Sequence, residues 1–125
     1  MHAPITAFYA GLLGVLMLVL AFRVVAVRRA TAIGLGDGGN ALLFSRIRIH
    51  GNAAEYVPLA LLLMLMLEIN GTSAGWLHVL GLSLLIGRVA HAQGLSTSTG
   101  VSPGRLVGNV LTWSVILIAA LKNVI

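Results

Sequence analysis

An all-α integral membrane protein, a bundle of four transmembrane helices in a single domain over residues 1–125, is the fold class this chain predicts. Three observations predict it. Hydrophobic residues make up 58% of the chain and charged residues only 9%, where a soluble domain carries roughly a quarter charged residues. Mean hydropathy is +1.01. The apolar residues also fall into four stretches near the ~20 residues that cross a hydrocarbon core of about 30 Å. So short a chain cannot hide that apolar excess from water in a core of its own; lipid removes the need. Cysteine is absent, which excludes a disulfide framework, a thiolate metal site and a cysteine nucleophile. Eight Lys and Arg against three acidic residues, net +5, read here as topology signals and not as a nucleic-acid surface.

The first span is predicted over about residues 3–28. No ionisable residue occurs from Ala3 to Phe22, and Arg23, Arg28 and Arg29 close the stretch. Its amino end has no Lys or Arg, unlike a signal peptide. A glycine-rich joint, Gly34 to Gly39, follows. The step from Asn40 into Ala41-Leu42 is a helix start, and the second span runs over about 41–69, polar in its first turns and apolar afterwards. Asn70-Gly71-Thr72-Ser73 is a turn. The third helix is predicted over about 75–93, a polar loop over Gly94 to Gly104, and the fourth helix over about 105–123.

The basic residues sort onto one side. Arg23, Arg28, Arg29, Arg46 and Arg48 flank the first connection, Arg88 and Arg105 the third, and only Lys122 lies at the opposite end. The positive-inside rule makes the basic side cytoplasmic and puts both termini on the non-cytoplasmic side. Small residues at helical spacing, Ala3/Ala7/Gly11 and Gly104/Gly108 among them, allow close helix approach.

Charged residues inside spans need a cause, since each Arg or Asp at the bilayer centre costs roughly 2.5–3.5 kcal/mol. At 100° per residue, Arg48, Asn52 and Glu55 lie within about 60° of one another on one helix face. Pro58 follows three residues later, where a bend is expected. On the third helix Arg88 and His91 share a face, and Arg105 opens the fourth. Two readings stand at this point: a polar network that fixes an oligomer, or a ligand site. Arg28 and Arg29 likewise read as topology anchors or as ligand contacts. No metal site is expected, because no His/Glu pair has ligand spacing.

The run Arg48-x-His50-x-Asn52-x-x-Glu55-Tyr56-x-Pro58 resembles the second-helix signature of the MAPEG family, membrane-associated proteins in eicosanoid and glutathione metabolism. Arg88-Val89-Ala90-His91 resembles the third-helix motif of its prostaglandin synthase branch. The resemblance covers essentially the whole chain. It implies a homotrimer of four-helix bundles with glutathione, as co-substrate, bound between subunits near the cytoplasmic face. Arg48 and Arg28 or Arg29 would then hold its carboxylates, Glu55 its ammonium and Asn52 its peptide part, with Tyr56, Arg88 and His91 also lining the site. Arg105 would be the catalytic, thiolate-stabilising cation. Several family members carry a tyrosine one turn after the position of His91; here that residue is Leu95, so prostaglandin or leukotriene synthesis does not follow.

The function expected on this basis is a glutathione-dependent transferase or peroxidase acting on lipophilic electrophiles from the bilayer. Alternatives are a non-catalytic lipid- or ligand-binding member of the same family, or a small four-helix multidrug transporter. Short loops and minimal length favour a bacterial inner membrane.

Overall fold

The computed structural model describes the backbone of residues 1–97 and 102–125 and the side chains of 1–94 and 102–125. Four helices account for nearly all of it: α1 Pro4–Thr31, α2 Ala41–Ile69, α3 Ala74–Thr97 and α4 Pro103–Val124. Each is long and apolar enough to cross a membrane. At 1.5 Å per residue, α1 and α2 reach about 42–44 Å and overrun a hydrocarbon core of about 30 Å. Helix α3 is the most enclosed of the four and α1 the least. Helices α1 and α4 each pack on α2 and α3.

Pro4 opens α1, where its missing N–H costs nothing. The next two amides are taken across the bundle: Ile5 N and Thr6 N donate to the Glu68 carboxylate at 2.9 and 2.7 Å. An acid in the last turn of α2 thereby caps the positive end of α1. At its other end α1 runs three residues past the predicted stop. Thr31 Oγ1 donates to Val27 O at 2.7 Å, Ala32 then takes a left-handed φ of 56°, and Arg28 Nη1 donates to the carbonyls of Ile33 and Gly36 at 3.1 and 2.9 Å.

Asn40 caps α2, its Oδ1 accepting from Leu43 N at 2.9 Å. The helix is a single element through Pro58. Gly71 follows with φ +84°, a conformation glycine adopts without strain. Helix α3 continues four residues beyond the predicted Gln93, through Gly94. That residue stays helical because it lies against the start of α4, its Cα side touching Arg105 N and Gly104. Ser102 caps α4, its Oγ accepting from Arg105 N at 3.3 Å.

The α3–α4 seam is built on glycine. A Cβ on Gly108 would stand 2.5 Å from Gly87 O and from His91 Cβ, and one on Gly104 2.9 Å from Ala90 O. The side chains of Leu13, Ile49, Met64, Leu84 and Val115 fill the interior. Phe8, Leu18, Phe22, Leu62, Ile86 and Leu117 are exposed on the outside, as lipid contact requires. At the end away from the basic connection, Tyr9 lies against Gly81, and its hydroxyl is 3.0 Å from His78 Nδ1.

Gly108→Ala forces the seam open and lowers the stability of the solubilised protein by about 1–3 kcal/mol. Gly75→Ala, where nothing lies within 4 Å, leaves it unchanged or raises it slightly. Thermal melting in detergent compares the two. In the same assay Glu68→Ala lowers stability by about 1–2 kcal/mol through loss of the α1 cap.

Candidate functional site

The polar residues gather in the half of the bundle nearer the α1–α2 connection. The deepest is Arg88 on α3, 1% exposed. Its position lies about 21 Å along α3, counted from Ala74. Its Nη2 donates to Asn52 Oδ1 on α2 at 2.5 Å, and its Nη1 to Thr112 Oγ1 on α4 at 3.4 Å. Thr112 in turn donates to Gly108 O at 2.8 Å. One guanidinium therefore joins three helices. The charge is delocalised and weakly hydrated, which suits arginine to burial better than lysine.

One turn to either side of Asn52, the same face of α2 carries Arg48 and Glu55. They form a long ion pair, Nη2 to Oε1 3.5 Å, with side chains 45% and 52% exposed. An exposed pair at that distance holds neither partner firmly. Tyr56 meets Trp113 of α4 edge to face at 6.4 Å. Asn52 makes no hydrogen bond through Nδ2 among the described residues.

His91 is buried one turn after Arg88, with Nδ1 unpartnered among the described residues; Arg88 Nε and Asn109 Oδ1 share that condition. Buried polar atoms left this way are rare and call for a partner from outside the chain's own bonds. Arg105 sits half-buried in the first turn of α4, within the set of groups that have bonded partners.

The sequence candidates thus divide. Asn52 joins Arg88, and Arg48 joins Glu55. Arg88 and His91 are enclosed within the bundle, whereas Arg48 and Glu55 are half-exposed. Arg28 is folded back onto the α1–α2 connection, and Arg29 is exposed beside it. Neither bonds to Arg48, Asn52 or Glu55 among the described residues. The side chain of Leu95 lies outside the described residues. Thr112 was not singled out from sequence; a helical threonine ordinarily bonds only its own preceding turn, so nothing in its spacing announced a second partner.

Four membrane-length helices around a buried arginine, with a polar face on α2, define an α-helical integral membrane protein of small bundle type. Comparison with known proteins carries this further. The chain belongs to the MAPEG family, whose model matches residues 6–125, in agreement with the motif on α2. It is 40% identical over 119 residues, 95% of this chain and 89% of the relative, to inner membrane protein YecN of Escherichia coli (strain K12). The protein of the same name from Escherichia coli O6:H1 (strain CFT073) matches at the same identity and coverage.

Because Arg48 and Glu55 are half-exposed, their coupling in a double-mutant cycle is below about 1 kcal/mol. Arg48→Ala on its own shifts stability by no more than about 0.5 kcal/mol, read by thermal melting. A loss of ligand binding in that variant then reports on the site and not on folding.

Proposed function

We propose that this protein is a glutathione-dependent transferase or peroxidase of the bacterial inner membrane, acting on lipophilic electrophiles that enter from the bilayer. In this reading three copies associate, and neighbouring subunits enclose the polar face of α2. The observation that carries it is the Arg48–Glu55 pair, half-exposed on a helix that spans the membrane. Charge on a spanning helix is costly when it faces lipid, so a partner subunit and a polar ligand must cover it.

The groups on that face suit the tripeptide. An arginine fork takes a carboxylate, a glutamate takes an ammonium, and the Asn52 amide takes the peptide part. The weak Arg48–Glu55 contact is readily exchanged for ligand contacts on both sides. Family membership supports the same chemistry, and the name of the Escherichia coli relatives supports the inner membrane. The basic end then faces the cytoplasm and both termini the other side.

Arg105 is assigned the chemical step. A thiol with pKa near 8.5 is only a few per cent ionised at pH 7. A cation within about 4–6 Å lowers an acid's pKa by roughly 1–3, and a shift of about 2 makes thiolate the main form at pH 7. Arg105 needs only to hold that charge; the greasy surroundings exclude water and strengthen the attraction.

Isothermal titration of the purified protein with glutathione is the test. Wild type is expected to bind, Arg48→Ala and Glu55→Gln to bind about tenfold or more weakly, and Arg105→Ala to keep binding while losing the ultraviolet thiolate difference band. Turnover of a chlorodinitrobenzene is expected in wild type and lost in Arg105→Ala. Absence of heat at millimolar glutathione rejects the proposal.

A further inference from the structure

We infer that Arg88 is a positioning residue that sets the hydrogen-bonding polarity of Asn52, so that the α2 face offers its ligand an N–H donor at this point and admits only an acceptor oxygen there. The inference rests on the ligand-site reading above and adds what that site selects for.

An asparagine amide has a carbonyl and an NH2 end of nearly equal shape, and alone it can present either. Arg88 removes the choice. A guanidinium carries donors and no acceptor, so whatever faces Arg88 Nη2 must be the oxygen. The contact is short, 2.5 Å from Nη2 to Oδ1. Thr112 steadies the other arm of the fork at 3.4 Å, and burial of Arg88 to 1% exposure denies it alternative water partners. The Asn52 NH2 group is therefore turned away from Arg88. It makes no bond within the described residues, and Asn52 is only partly buried.

Along α2 the groups read in order: a cation at Arg48, a donor at Asn52, an anion at Glu55, the long Arg48–Glu55 contact of 3.5 Å being the one a ligand replaces. Helical rise separates them by about 6 and 4.5 Å. The complementary ligand carries an anion, an acceptor oxygen and a cation in that order. A carboxylate, a peptide carbonyl and an ammonium satisfy it. A ligand presenting an N–H to Asn52 is rejected, since two donors would face each other without an acceptor, a costly arrangement away from water.

The decisive variant is Asn52→Asp in the purified full-length protein. The carboxylate keeps an oxygen on Arg88 with charge added, so the melting temperature is expected to stay level or rise, tempered by like charge on Glu55 three residues away. The other oxygen replaces the donor, so affinity for glutathione is expected to fall about tenfold or more. A purely structural Asn52–Arg88 tie predicts the first effect without the second. Arg88→Lys, still donor-only, is expected to keep glutathione affinity within about threefold, whereas Arg88→Gln, whose amide lets Asn52 turn round, is expected to lose about tenfold.

A clear drop in the melting temperature of Asn52→Asp overturns the claimed hold of Arg88. Unchanged affinity in Asn52→Asp or in Arg88→Gln, with wild type binding, overturns the claimed donor and leaves the glutathione reading standing. Failure of wild type itself to bind overturns both.

Discussion

A guanidinium closed off inside a lipid-embedded bundle must find its acceptors on the helices around it, and Arg88 finds them on two. Asn52 supplies one from α2 and Thr112 the other from α4. Those bonds fix how α2 and α4 are rotated about α3, and with that rotation goes the direction of everything else on the α2 face. Asn52 points inward to Arg88, while Arg48 and Glu55, about 40° and 60° round the helix from it, are half-exposed. The reach of Arg88 depends on backbone approach. Gly87 and Gly108 bring α3 and α4 to near contact one turn from Thr112, and the carbonyl of that same Gly108 takes the threonine proton. Glycine packing and polar bonding at this level of the bundle are one device.

The two ends of the molecule treat their polar groups differently. Away from the basic connection most have a partner inside the chain, the buried Thr6 Oγ1 being an exception among the described residues. Glu68 holds the first amides of α1, Tyr9 meets His78, Asn123 donates to Leu63 O and Ala119 O, and Lys122 lies over the Trp76 ring at 5.1 Å. Toward the basic connection, Arg88 Nε, His91 Nδ1 and Asn109 Oδ1 are buried without partners among the described residues, and the Arg48–Glu55 contact is loose. Among the described residues the buried unpartnered atoms are thus concentrated toward the basic connection, where Arg46 Nη1 adds a fourth, against the one at Thr6. That imbalance agrees with the site proposed above.

The spans were legible in the sequence because lipid burial is written in composition, and a 20-residue apolar run has few other uses. The polar face of α2 was legible too, since Arg48, Asn52 and Glu55 are on one helix and their angle follows from spacing alone. What joins Asn52 to Arg88 was not legible: it depends on the rotation of α2 against α3, which no single-helix periodicity contains. Arg88 and His91 accordingly read as ligand contacts beside Arg48, whereas the fold encloses them. Glu68 escaped notice for a related reason, because it caps a helix more than 60 residues away. Helix ends beyond the predicted stops at Arg28 and Gln93 were set by contacts of the same long-range or side-chain kind, the Arg28 bonds to the connection and the seating of Gly94 against α4.

A hydrophobic residue in place of Arg88 would pack more cheaply, as buried charge generally gives little net stability. What arginine adds is geometric. Its fork reaches two helices through separate nitrogens, and it can only donate, so both neighbours must turn an oxygen toward it. Threonine complies without consequence, its oxygen accepting from Arg88 while its one hydroxyl proton goes to Gly108 O. Asparagine complies by committing its other end, the NH2, to the opposite side. A lysine would impose the same polarity from a single point, and a glutamine would impose none. The arrangement is an interior constraint that acts on the surface: the buried charge of Arg88 decides which end of the Asn52 amide faces outward.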